Sequence, residues 1–83
     1  MKMMSKVLVI EDEQELRETL NDLLEMEDYQ VIQAVDGEDG YAKVLEEHPD
    51  IIICDVNMPR LSGFELLERL QAISEEKRIP PFI

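Results

Sequence analysis

Lys6-Val7-Leu8-Val9-Ile10 runs directly into Glu11-Asp12, and Ile51-Ile52-Ile53-Cys54 runs into Asp55, with Val56-Asn57-Met58-Pro59 next. Both runs are short and continuously apolar, as expected for strands of a parallel sheet that is covered on both faces. In an open parallel sheet, ligands gather outside the carboxyl ends of the strands, which is where Glu11, Asp12 and Asp55 fall. Carboxylates held close together repel one another. A hard divalent cation such as Mg²⁺ relieves that repulsion while keeping waters for an incoming oxygen ligand. The same acids would also serve simply to begin loops or cap helices, and spacing alone leaves both roles open.

Outward from these strands, helix and strand patterns alternate, which predicts βαβ units and a parallel sheet. The first helix is expected over about Gln14 to Glu27, with Leu16, Leu20, Leu23 and Leu24 on one face and its acids and Arg17 toward water. Tyr29 to Val35 is less regular and predicts a more exposed edge strand. A second helix, about Glu38 to Glu47, follows Asp36-Gly37 and carries Tyr41, Ala42, Val44 and Leu45. Gly40 inside it costs about 1 kcal/mol of helix propensity relative to Ala, which predicts the loosest helix of the chain. Ser62-Gly63-Phe64-Glu65 has the spacing of a capping box and opens a third helix expected to bury Phe64, Leu67 and Leu70. Ile79-Pro80-Pro81-Phe82-Ile83 reads as the start of a fourth strand.

Eighty-three residues make one domain at most. A formal charge of −12 argues against nucleic acid, whose phosphates require a basic surface. No apolar run approaches the roughly 20 residues of a membrane span, and Met1-Lys2-Met3-Met4-Ser5 has no long apolar segment of a secretory signal. A cytoplasmic location is therefore expected. Cys54, the single cysteine, cannot form an internal disulfide and fits a small core residue.

The acidic pair Glu11-Asp12 after the first strand, Asp55 after the third, Met58-Pro59 in the next loop and Gly63 opening the following helix resemble the receiver domains of two-component response regulators. The resemblance runs from about Lys6 to Ile83. It implies a flavodoxin-like α/β fold, a doubly wound parallel sheet with strand order 2-1-3-4-5 when complete. Residues 1–83 would then form a receiver domain truncated within the fourth strand, without the fifth strand, the last two helices or any output domain. The Ser or Thr ending strand four and the Lys ending strand five, which hold phosphoryl oxygens in the family, have no counterpart to assign. Such a chain would expose apolar surface and an unpaired strand edge, as a fragment of a longer regulator or a self-associating homo-oligomer.

The resemblance implies roles residue by residue. Asp55 would be the phospho-acceptor, its carboxylate attacking the phosphorus of a phosphohistidine on a histidine kinase or phosphotransfer protein. Asp12, Asp55 and the backbone carbonyl of Asn57 would bind Mg²⁺ directly, with Glu11 reaching it through water. Met58 and Pro59 would shape the loop, and the Asn57 side chain would lie near the path of an attacking water. His48, just before Pro49, suits a helix C-terminus better than a phosphohistidine. Glu25-Met26-Glu27-Asp28 reads as a solvated face and loop, and Arg60 as a surface residue.

The function implied is a non-enzymatic phospho-acceptor, at most catalysing its own Mg²⁺-assisted phosphorylation and dephosphorylation. Phosphorylation would add about −1.5 to −2 charge and switch interactions with an output domain or a downstream protein. The alternative is an interaction or self-association module unable to hold phosphate. A phosphatase using an Asp nucleophile ranks last, because many such enzymes place a second acid two residues on, where this chain has Asn57.

Overall fold

The computed structural model describes residues 5–54 and the helix Gly63–Ile73. The order is β1 (Lys6–Ile10), α1 (Gln14–Met26), β2 (Gln30–Ala34), α2 (Gly37–Glu47), β3 (Ile51–Cys54) and α3 (Gly63–Ile73). The described strands form one parallel sheet in the order β2-β1-β3, pairing Ile10 with Ala34 on one side and with Cys54 on the other. This is the β2-β1-β3 portion of a flavodoxin-like doubly wound sheet. The expected fourth strand at Ile79–Ile83 lies outside the described residues, as does Ser62 of the expected capping box.

Central β1 is apolar after Lys6 because both of its faces are covered: Val7, Leu8, Val9 and Ile10 are all buried. Side chains alternate across the sheet. On one face Leu8, Ile10, Ala34, Ile52 and Cys54 form the core with Leu66 and Leu70 of α3, and Ile32, Tyr41 and Val44 pack against it. Cys54 is thus a core residue, as its apolar strand predicts. α1 packs on the other face, against β1 and β2. β2 is an edge strand among the described residues, with Gln30 and Gln33 exposed, as its irregular pattern predicts.

Several expectations are corrected. α1 has no fully buried residue: Leu20 and Leu24 are half-buried, whereas Leu16 and Leu23 are 43% and 54% exposed. Because α1 leans on β1 and β2, β3 is less well covered on that face and Ile51 and Ile53 are only half-buried. On α2, Tyr41 and Val44 face the core while Ala42 and Leu45 are exposed, since three-to-four spacing from Gly37 and Gly40 sets the buried stripe. On α3, Leu66 and Leu70, one turn apart, are buried; Leu66 does not figure in the sequence expectation. The side chains of Phe64 and Leu67 lie outside those described.

Gly40 has a packing role that propensity conceals. It is buried, and a Cβ there would lie 2.9 Å from Ile10 Cγ1 and closer still to Ile10 Cδ1. Glycine lets α2 settle directly on β1, so the helix expected to be loosest is closely seated at this point. Asp36 caps α2 by accepting the Asp39 N–H at 2.8 Å. His48 closes the helix in the left-handed region (φ 51°), its N–H donating to the Val44 carbonyl at 3.2 Å. The run Glu25 to Asp28 is exposed, as expected.

Candidate functional site

The acids sit at the carboxyl end of the sheet. The Glu11 N–H donates to the Ala34 carbonyl at 3.0 Å, carrying the β1–β2 ladder one residue past the strand. Glu11 is 6% exposed, and its side chain accepts the Glu13 N–H on Oε2 at 3.1 Å. A carboxylate taken from water needs such donors or an opposite charge. Asp12, the next residue, is exposed. The two expected ligands therefore occupy different environments, one buried and held, the other open to solvent.

The neighbouring β2–α2 connection is fixed by acids as well. Asp39 Oδ2 accepts the Val35 N–H at 3.0 Å, and Asp39 Oδ1 lies 3.4 Å from Lys43 Nζ. Lys43 also donates to the Gln33 carbonyl at 3.1 Å. The sequence reading does not single out Asp39. Its signal is the pair Asp36 and Asp39 at the start of α2, where side-chain oxygens satisfy N–H groups that a helix or strand end leaves open.

Arg17 is a second residue that sequence reasoning misplaces. It is half-buried rather than turned to water, and its Nη1 donates to the Glu11 backbone carbonyl at 2.8 Å. A strand-end carbonyl needs a partner once its ladder stops, and a long side chain one turn into α1 supplies it. The signal available in the sequence is the spacing alone, six residues after Glu11 and in the helix that the strand feeds.

Asp55, Asn57, Met58, Pro59 and Arg60 lie outside the described residues. Among the described residues no group of three or more His, Cys, Asp or Glu side chains is arranged to hold a metal. The donors that are described, two adjacent carboxylates with one held by a backbone N–H, are hard oxygen ligands of the kind Mg²⁺ takes. They fit such an ion as part of a larger set. His48 is at the C-terminus of α2, away from this end of the sheet, in the structural position expected for it. Among the described residues no helix is long and apolar enough to cross a membrane.

A three-stranded β2-β1-β3 parallel sheet with an acidic pair at the end of its central strand defines a receiver-type module. The family profile of the response regulator receiver domain matches residues 7–81, and the chain belongs to that family, the signalling modules of two-component systems. Among curated proteins it is similar to sporulation initiation phosphotransferase F of Bacillus subtilis, 34% identical over 77 residues that cover 93% of this chain and 62% of that protein. It is also similar to protein PilG of Pseudomonas aeruginosa, 40% identical over 75 residues, 90% of this chain and 56% of that protein. The chain thus spans less than two thirds of the length of these relatives. Among solved structures, the chemotaxis response regulator CheY4 of Vibrio cholerae matches with a TM-score of 0.88 at 32% identity, covering 96% of this chain and 66% of that one. Response regulator TrrA of Thermotoga maritima, solved in complex with Mg²⁺ and BeF, matches with a TM-score of 0.82 at 32% identity, covering 92% of this chain and 66% of that one.

Proposed function

We propose that this chain is a phospho-acceptor receiver module that takes a phosphoryl group from a histidine kinase or phosphotransfer protein onto Asp55. The observation that carries the proposal is the held Glu11 carboxylate beside Asp12 at the end of β1, with β1 paired to the strand whose sequence leads into Asp55. An Asp55 carboxylate oxygen forms a bond to phosphorus while the P–N bond of the phosphohistidine breaks, its electron pair returning to the imidazole nitrogen. Glu11, Asp12, Asp55 and the Asn57 carbonyl would hold Mg²⁺, and the solved Mg²⁺ complex of TrrA supports that choice of ion. When bound, the ion supplies positive charge that offsets repulsion between the carboxylates and the incoming phosphoryl oxygens.

In this role the chain is a signalling switch rather than a turnover enzyme, and it acts in the cytoplasm. Its partners are the phosphoryl donor and an output domain or downstream protein. The test is intact-mass spectrometry of the chain and of Asp55→Asn after incubation with acetyl phosphate and Mg²⁺. A phosphoryl adduct that requires both Asp55 and Mg²⁺ is expected. An Asp55-independent adduct would move the acceptor off Asp55, and no adduct while Mg²⁺ still binds would replace this reading with that of an interaction module.

A further inference from the structure

We infer that Arg17 is a positioning residue for the cation site, clamping the Glu11 peptide so that the Glu11 and Asp12 carboxylates are set in place before the ion arrives. The inference rests on the proposal above that these two residues take part in holding Mg²⁺. It begins from a closed circuit of hydrogen bonds. Arg17 Nη1 donates to the Glu11 carbonyl at 2.8 Å, the Arg17 N–H donates to the Glu13 carbonyl at 2.9 Å, and the Glu13 N–H donates to Glu11 Oε2 at 3.1 Å. With the Glu11 N–H bonded to Ala34 at 3.0 Å, backbone and carboxylate of Glu11 are fixed together.

The seven residues from Glu11 to Arg17 carry the turn from β1 into the first turn of α1, and Glu13, the residue before the helix, makes no side-chain capping bond. The turn is therefore held from elsewhere. Arg17 reaches back across it and ties the first turn of the helix to the end of the strand. Asp12 lies inside that loop and is exposed, so its position follows the turn that carries it.

Two physical effects of Arg17 on a cation site have opposite signs. As a positive charge near the acids it opposes Mg²⁺, so removing it would tighten binding. As a clamp it holds the ligand residues, so removing it would loosen binding. The guanidinium is half-buried and partly screened by solvent, and its hydrogen bond acts on the ligand residue itself. The clamp therefore dominates.

The experiment is calorimetric titration of Mg²⁺ into the chain and into Arg17→Met, Arg17→Gln and Arg17→Lys, with a thermal melt of each. Loss of an outer-shell partner typically weakens a metal site by 10-fold or more, and a loss on the order of 10-fold is expected for Arg17→Met and Arg17→Gln. Arg17→Lys, which keeps a long cationic donor, should recover part of it. Arg17→Gln serves in place of Arg17→Met if the latter does not fold. Mg²⁺ affinity equal to or tighter than that of the parent in a folded variant overturns the inference. Asp12→Asn separates the two levels: Mg²⁺ binding by the parent that survives Asp12→Asn removes the proposed site and the clamp with it, whereas binding lost in Asp12→Asn but unchanged in the Arg17 variants removes the clamp alone.

Discussion

Gly40 of α2 and Ile10 of β1 are in such close approach that a single methyl group at position 40 would lie 2.9 Å from Ile10 Cγ1. Ile10 is 1% exposed and packed in the core, so it has little room to yield. Gly40→Ala gains about 1 kcal/mol of helix propensity and forces an overpacked contact that typically costs about 1–3 kcal/mol. A net loss of stability is expected in urea denaturation. Combining it with Ile10→Val, which removes the Cδ1 methyl, should restore part of the loss, giving a double-mutant coupling that simple additivity would not produce.

Removing the cap of α2 should also be measurable. Asp36 accepts the Asp39 N–H at 2.8 Å. Asp36→Ala is expected to cost about 0.5–2 kcal/mol, and Asp36→Ser to recover most of it. Equal denaturation midpoints for the Ala and Ser variants would refute the capping role.

His48 closes α2 with φ 51°, in the region where glycine is free of strain and other residues are not. His48→Gly should therefore stabilise the chain by a few tenths to about 1 kcal/mol. A lower midpoint for His48→Gly would show that the side chain outweighs the backbone strain.

Arg69 of α3 lies 3.1 Å from Glu38 of α2 and 5.3 Å from the centroid of the Tyr41 ring. Both charged side chains are largely exposed, so the ion pair should contribute less than about 1 kcal/mol. Glu38→Gln is expected to leave the urea midpoint nearly unchanged. A large shift would mean that this pair couples α2 to α3 more strongly than an exposed pair does.

Metal linkage gives a further prediction. If the proposed site holds Mg²⁺ only in the folded state, the ion at about 100 times its dissociation constant should stabilise the chain by about 2.7 kcal/mol. A thermal melt should show the gain with Mg²⁺ and its loss with a chelator. On the proposed site, Asp55→Asn should abolish the gain. An unchanged Mg²⁺ response in Asp55→Asn would take that residue out of the site.

The strands and the acidic pair were legible because each is a local property. Val7 to Ile10 and Ile51 to Cys54 are apolar runs bounded by charge, and only a strand covered from two sides tolerates β1 in that form. Glu11 and Asp12 follow β1 by chain connectivity alone, and the family was legible through the motif that Asp55 and Met58-Pro59 complete. The leucines of α1 were less so. Periodicity says that Leu16, Leu20, Leu23 and Leu24 can share a face, but whether a face is covered depends on what packs there, and α1 lies over β1 and β2 with Leu16 and Leu23 left exposed.

By itself, then, the sequence determined the order of strands and helices, the family, and the residues that bring negative charge to the end of the sheet. Tertiary structure alone decided that Gly40 must remain without a side chain against Ile10, that Leu66 joins Leu70 in the core, and that Arg17 turns back to Glu11 rather than out to water. The physical reason is range. Hydrophobic pattern and turn chemistry act between neighbours in the chain, whereas a close helix-to-strand approach or a side chain reaching a strand-end carbonyl depends on the angle and separation at which whole elements pack, which no local stretch encodes.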